Sequence, residues 1–405
     1  VRNSVDFHTI AIKYGTPVYI YDGNTILKNC RTVLETFDDL DLIPTFALKA
    51  NSNPNIVRLI NSTGFGADVV SKGELLASLK AGVPPFKIVW NGTGKKISDM
   101  EYFLSIGVGF INVDSFEEMD RWLEMMKHGN KSTIKFLVRV NPDVDAHTHP
   151  HISTGLKENK FGIDISEFDR FMSKFGDYIS GIHVHIGSQI TEVEPFVETY
   201  EQIISLLMKY DLEYFNLGGG WGIDYGDGKH LNLDEYKERV IPILKEFSGK
   251  FLLELGRFIV GNAGYLLLRV VEIKRKNRKT FIVVDGGMNL LLRPALYDAH
   301  HEITTIDGTG IHEVADVVGP LCESGDFLGK ELEVELPKVG GLILVKNCGA
   351  YGFSMSSNYN SLPKPPEVLI LNGEDFLIRR RESDDEIFIH VVEMDSNLLK
   401  GKIGI

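Results

Sequence analysis

Lys49 lies in the run Phe46-Ala47-Leu48-Lys49-Ala50-Asn51, at the end of a strand-like stretch with no charged neighbour in sequence. A free lysine titrates near ~10.4, and an apolar setting lowers that value because burial disfavours the ammonium. The neutral amine is a nucleophile able to form a Schiff base with an aldehyde. Without a function, the same residue is a lysine whose stem lies on apolar surface and whose head reaches water. Farther along stands Glu254-Leu255-Gly256-Arg257. A carboxylate facing a pyridine nitrogen keeps it protonated and makes the ring an electron sink, while a guanidinium grips phosphate or carboxylate with two donors. A structural ion pair is the plainer alternative.

Three further groups invite chemistry. Asn216-Leu217-Gly218-Gly219-Gly220-Trp221-Gly222 would let backbone N–H groups approach an anion closely, though a tight turn reads equally from the glycines alone. Its spacing is not that of a dinucleotide-binding turn. His183 and His185 flank Val184, so on a strand both would face one way, and His147-Thr148-His149-Pro150-His151 adds more imidazoles. No Cys, Asp or Glu partner stands at a recognisable metal spacing, so no metal is expected, and a His185 ring lying flat on a cofactor is the better functional reading. Cys322-Glu323-Ser324-Gly325-Asp326 joins a thiol to carboxylates in a glycine-bearing loop. A free cysteine is usually inert unless its surroundings activate it.

The elements that must position these residues follow from periodicity. Thr45–Ala50, Ala67–Ser71, Lys87–Asn91, Phe110–Asp114, Lys135–Asn141, Gly181–Ser188, Tyr214–Gly218 and Phe251–Glu254 are short β-prone runs, most of them rich in Val, Ile and Phe. Between them, segments such as Phe116–Lys127 and Glu192–Tyr210 repeat apolar residues at three- and four-residue spacing. This alternation describes a parallel (β/α)₈ barrel, an α/β fold. Lys49, Asp68, Asn91, Asp114, Arg139, His185 with Ser188, and Glu254 with Arg257 all fall near the C-terminal ends of these runs, where barrels place their chemistry.

After about Gly264 the pattern turns to strands (Tyr265–Val271, Phe281–Val284, Leu332–Leu336, Leu342–Lys346) with Gly- and Pro-rich turns, predicting an antiparallel β domain. The segment Thr16-Pro17-Val18-Tyr19-Ile20-Tyr21 is expected to join it, giving a barrel over 22–264 and a β-sandwich or barrel-like domain from 1–21 and 265–405. Lys274-Arg275-Lys276-Asn277-Arg278-Lys279 reads as a solvated hairpin turn. The chain has 405 residues and a formal charge of −13, which argues against a nucleic-acid surface. Its three cysteines, an odd number, fit a reducing cytoplasm better than a disulfide framework. The opening Val1-Arg2-Asn3-Ser4 lacks a signal-peptide core, and no apolar run is long enough to span a membrane, so a soluble cytoplasmic protein is expected.

Taken in order, these pieces resemble the fold-type III pyridoxal-phosphate-dependent decarboxylases. The resemblance runs through Ala47–Asn51, Gly66-Ala67-Asp68-Val69-Val70-Ser71, His185-Ile186-Gly187-Ser188-Gln189, Gly218-Gly219-Gly220, Glu254–Arg257 and Cys322–Asp326, nearly the whole chain. Thr154-Gly155 with Lys160-Phe161-Gly162, and Leu292-Arg293-Pro294-Ala295-Leu296-Tyr297, are more similar to the diaminopimelate branch than to the ornithine or arginine branches. Leu255 departs from the proline usual there, and a small backbone adjustment is expected.

The resemblance implies roles. Lys49 would hold pyridoxal 5'-phosphate covalently and His185 would stack on its ring. Ser188, the glycines 218–220, the backbone of Glu254, Leu255, Gly256 and Arg257, and Tyr351 would hold the phosphate. Glu254 would pair with the pyridinium nitrogen, and Asp68 would stand behind the cofactor. Arg257, Arg293, Tyr297, Glu323 and Tyr351 would bind the distal carboxylate and amine of meso-diaminopimelate. Cys322 from a partner subunit would return a proton after carbon dioxide leaves, so a homodimer would share the site. The rivals are decarboxylation of ornithine, arginine or carboxynorspermidine on the same fold, a non-catalytic regulator of that fold, and a racemase on a related barrel.

Overall fold

The structure, a computed structural model, describes residues 6–127, 134–145 and 160–394. After a short N-terminal helix the chain enters β1 (Val18–Asp22). Eight parallel strands then form a closed barrel: β2 (Leu42–Ala47), β3 (Gly66–Val69), β4 (Ile88–Trp90), β5 (Phe110–Val113), β6 (Lys135–Asn141), β8 (Ile179–His183), β9 (Tyr214–Asn216) and β10 (Lys250–Leu255). The two-residue β7 (Ile163–Asp164) attaches to the outer end of β6. The spatial order β5-β4-β3-β2-β10-β9-β8-β6 closes through β5–β6, so no barrel edge is left open. All four residues of β3 and of β5 are buried, as expected of strands covered by helices outside and side chains inside.

Local signals set where each strand yields to its helix. Ser71 caps the helix Lys72–Lys80 by accepting from Glu74 N–H, while Glu74 reaches back to accept from Val70 N–H at 2.8 Å. Ser115 and Glu118 repeat the arrangement at the helix Phe116–Met126, with Glu118 accepting from Asp114 N–H. Both are variants of the Ser-x-x-Glu box, and they turn the chain just beyond the strand's carboxyl end. The strands stop earlier than their sequence runs suggest: β2 ends at Ala47 and β8 at His183. Lys49, His185 and Ser188 therefore occupy the turns above the barrel rather than its wall.

The second unit is a mostly antiparallel sheet. It comprises β11 (Gly264–Lys276), β12 (Lys279–Val284), β13 (Ile303–Thr305), β14 (Gly308–Val318), β15 (Phe327–Pro337), β16 (Leu342–Val345), β17 (Glu367–Leu371) and β18 (Glu374–Arg379). Its main path is β15-β14-β12-β11-β1-β17-β18, so the N-terminal strand sits inside it, antiparallel to β11 and parallel to β17. The basic run is a hairpin turn: Lys276 pairs with Lys279 across Asn277 and Arg278, whose φ values of 51° and 63° suit a tight two-residue loop. β13, β14, β17 and β18 are not among the predicted strands, although the apolar run Val368–Leu371 followed by Asn372-Gly373 marks the β17–β18 hairpin. Most residues of β14 from Gly308 to Glu313 are exposed, so the apolar alternation there is weak.

Glu367 fastens the sheet to the barrel mouth. Fully buried on β17, it accepts from Tyr21 Oη at 2.7 Å and Asn53 Nδ2 at 2.9 Å, and it pairs with Arg379. Asn53 is four residues beyond Lys49, so the loop carrying the lysine is pinned by the second unit. Among the described residues no helix is long and apolar enough to cross a membrane.

Candidate active site

A cleft opens at the carboxyl end of the barrel, lined by Lys49, His185, Ser188, Gly220, Glu254, Leu255, Gly256, Arg257 and Tyr351 together with Ala47, Trp221 and Phe258. Nine residues singled out in the sequence therefore converge on one space. Lys49 rises into it from the turn after β2, where Leu48 N–H is held by the Asp68 carbonyl and Ala50 N–H by the Ala47 carbonyl. The apolar setting expected for Lys49 needs correction. Burial pulls its amine down, but interactions with Tyr351, Asp68 and the Glu254 carboxylate outweigh that and leave it above the ordinary lysine value. These groups are far away in sequence, so the run around Lys49 could not show them.

Glu254 is the best-held side chain of the cleft. Its Oε1 accepts from Asn91 Nδ2 at 2.8 Å, Asn112 Nδ2 at 3.0 Å and Asn216 Nδ2 at 2.6 Å. Its Oε2 is 3.2 Å from His183 Nε2. Burial alone would raise this carboxyl, but the imidazole and the amides hold it well below the usual range. His183 thus faces the Glu254 carboxylate, whereas His185 Nδ1 accepts from Gly219 N–H at 3.2 Å, which leaves the proton on Nε2. Burial and the nearby cations keep His185 well below the ordinary imidazole value, so its ring is neutral. The cluster His147–His151 and the pair Thr154-Gly155 lie outside the described residues.

The glycine run fits where no side chain would. A Cβ on Gly218, whose φ is +67°, would come within 2.1 Å of the Val184 carbonyl, and one on Gly219 within 2.2 Å of the Glu254 carbonyl. Arg257 starts the helix Arg257–Val260 and donates from Nη2 to Ser188 Oγ at 2.9 Å and from Nη1 to Tyr225 Oη at 2.6 Å. Its Nε is buried without a partner among the described atoms. The Tyr225 ring also lies 4.4 Å from the Arg293 guanidinium, so one phenol sits against both arginines. Arg293 is buried and donates to His301 Nε2 at 2.8 Å. Tyr297 is half-buried at the end of the same short helix, Arg293–Tyr297.

Cys322 and Glu323 are exposed and do not line the cleft. Their loop is ordered by Asp326, which accepts from Met288 N–H and Leu321 N–H, both at 2.7 Å. Tyr225, His301, His183, Asn112 and Asn216 were not assigned to the site from sequence. Asn112 and His183 at barrel-strand ends carried the positional signal; Tyr225 and His301 lie in loops and carried none.

A buried lysine amine, an ionised carboxylate, a neutral imidazole and a Cβ-free cradle beside Ser188 and Arg257 suit a phosphorylated pyridine aldehyde. The arrangement defines a pyridoxal-phosphate enzyme on a barrel. Residues 24–261 match the pyridoxal binding domain of the pyridoxal-dependent decarboxylases, and the chain belongs to that family. It is 41% identical over 395 residues to the diaminopimelate decarboxylase of Aquifex aeolicus, covering 95% of this chain and 93% of that protein. It is 42% identical to that of Neisseria meningitidis serogroup A, covering 94% and 95%. The crystal structure of diaminopimelate decarboxylase from Helicobacter pylori complexed with L-lysine superimposes with a TM-score of 0.89 at 36% identity, covering 95% and 98%.

Proposed function

We propose that this chain converts meso-2,6-diaminopimelate to L-lysine and carbon dioxide, the last step of lysine biosynthesis, with pyridoxal 5'-phosphate as cofactor. The observation that carries this reading is the pair Arg257 and Arg293, both buried and set against the one Tyr225 ring beside the Lys49 cleft. Two fixed guanidiniums suit a substrate that still bears a carboxylate at its far end.

Lys49 would hold the cofactor covalently, with His185 flat against its ring. Ser188, Gly220, the turn from Glu254 to Arg257 and Tyr351 would hold its phosphate. When bound, the cofactor supplies an electron sink for the pair left by the departing carboxylate. Glu254, as an anion, would hold a proton at the ring nitrogen. Arg257, Arg293, Tyr297 and Tyr351 would grip the distal end of the substrate and so orient the carboxylate that leaves. The exposed Cys322 and Glu323 are completed into a site by association: in a cytoplasmic homodimer the partner subunit's Cys322 returns a proton to the carbon that lost its carboxylate, and the partner subunit's Glu323 faces the distal amine.

The test is to supply the purified protein with pyridoxal phosphate and, separately, meso-diaminopimelate, ornithine and arginine, and to measure carbon dioxide and amine product. Lysine from diaminopimelate alone is the expected result. Turnover of ornithine or arginine would keep the cofactor and discard the roles of Arg293 and Glu323.

A further inference from the structure

Asp68 and Glu254 are two buried carboxylates that share one hydrogen-bond donor. Asn91 Nδ2 donates to Asp68 Oδ1 at 2.7 Å and to Glu254 Oε1 at 2.8 Å, one hydrogen to each. The opposite amide orientation would set its oxygen against both carboxylates, so the charge pattern fixes the nitrogen. Two neighbouring anions in a desolvated site repel strongly, and one of such a pair retains a proton.

The donors decide which. Glu254 Oε1 collects three amides, from the ends of β4, β5 and β9, and Oε2 has His183 at 3.2 Å. Among the described residues Asp68 receives a single side-chain amide, the shared one. The three amides are themselves anchored: Asn112 Nδ2 also donates to Asn91 Oδ1 at 2.7 Å, and Asn216 Oδ1 accepts from Gly218 N–H at 3.0 Å. Hydrogen bonds to an ionised acceptor are roughly twice as strong as neutral ones, so the surplus of donors favours charge on Glu254. Lys49, Arg139, His183 and His185 also face this pair, and Glu74 adds a further carboxylate on the Asp68 side.

We propose that Asn91, Asn112 and Asn216 sort the charge of this pair, holding Glu254 as the anion while the proton resides on Asp68. The three asparagines are positioning residues. They make the acidity of Glu254 a property of the folded chain, present before any cofactor arrives. Only the catalytic consequence rests on the proposed function; the protonation pattern does not.

Infrared difference spectra of the cofactor-free full-length protein at neutral pH test it, using carboxyl-labelled aspartate or glutamate. The expected result is a protonated-carboxyl band that shifts with labelled aspartate and disappears in Asp68→Asn. A band that shifts instead with labelled glutamate and disappears in Glu254→Gln overturns the proposal, as does the absence of any protonated-carboxyl band. Removing a donor with Asn112→Leu should bring up a glutamate band, and Asn216→Ser, which removes the amide but keeps an oxygen able to accept from Gly218 N–H, should do the same if the first variant folds poorly. Neither variant producing that band would also overturn it. In the loaded enzyme Asn112→Leu should lower kcat by about 10-fold or more with little change in KM. Should wild-type protein decarboxylate none of the substrates above, the infrared result still stands by itself.

Discussion

The guanidinium of Arg293 is aimed by the imidazole of His301: Nη1 donates to Nε2 at 2.8 Å, and the other ring nitrogen, Nδ1, donates to the Lys346 carbonyl at 2.9 Å. The backbone bond fixes the tautomer, so Nε2 has only a lone pair to offer, and it offers it to an arginine. His301→Leu would leave a buried guanidinium hydrogen unpaired, a loss of roughly 1–3 kcal/mol. With Arg293 as the grip on the distal carboxylate, KM for diaminopimelate should rise more than kcat falls. His301→Gln, which restores an acceptor, should recover much of the loss. Equal effects of the two variants in steady-state kinetics would contradict the aiming role.

His301 also makes stability depend on pH. Burial and the neighbouring Arg293 push its imidazole from 6.5 down to about 3. A depressed folded value means that the unfolded chain binds the proton first, so the contribution is intact above 6.5 and is lost as pH falls towards 3. From about pH 7.5 to 5.5 the wild type should lose about 1 kcal/mol more than His301→Gln. Urea unfolding at the two pH values checks this, and parallel losses would count against it.

Lys49 is held above the usual lysine value, so in the cofactor-free protein its amine is mostly an ammonium at neutral pH. Only the neutral amine attacks an aldehyde. The rate at which added pyridoxal phosphate becomes covalently bound, followed by visible absorbance, should climb steadily with pH through the range below 10.5, the ordinary lysine value. A plateau near neutrality would mean that the amine is already free.

Gly219→Ala would set a methyl 2.2 Å from the Glu254 carbonyl, where the obstacle is backbone and cannot swing aside. The strands β9 and β10 must part, at a cost of about 1–3 kcal/mol. Because Gly219 N–H also holds His185, cofactor affinity should fall together with the melting temperature. Unchanged cofactor titration in this variant would separate the glycine run from phosphate binding.

The proposed sharing of the site between subunits predicts complementation. Lys49→Ala and Cys322→Ala should each be inactive alone. Mixed and allowed to exchange subunits, they should regain about a quarter of wild-type activity, since half the dimers are mixed and each has one intact site. No recovery despite demonstrated exchange would return Cys322 to a role within its own chain, or to none.

The barrel was legible because each strand is a short, doubly buried run followed by an amphipathic helix, a pattern written within some thirty residues at a time. The residues of the cleft were legible for a related reason: a parallel barrel sends the ends of all its strands to one place, so Lys49, Asp68, His185 and Glu254 could be expected together. What stayed hidden lacked a local pattern. β14 is mostly exposed in its first half, β17 finds its parallel partner in an N-terminal strand far away in sequence, and Tyr225 and His301 sit in loops whose neighbours give no hint of two arginines.

The sequence by itself determined the order of strands and helices, the chemical kinds of side chain at the barrel mouth, and the family resemblance they carry. The tertiary structure decided their charges. Whether Lys49 is drawn down or pushed up, and whether Glu254 or Asp68 holds a proton, depends on distances of about 3 Å between atoms from β3, β4, β5, β8, β9 and β10. Coulomb and hydrogen-bond energies fall off over such lengths, and a linear chain contains no such distances until it folds.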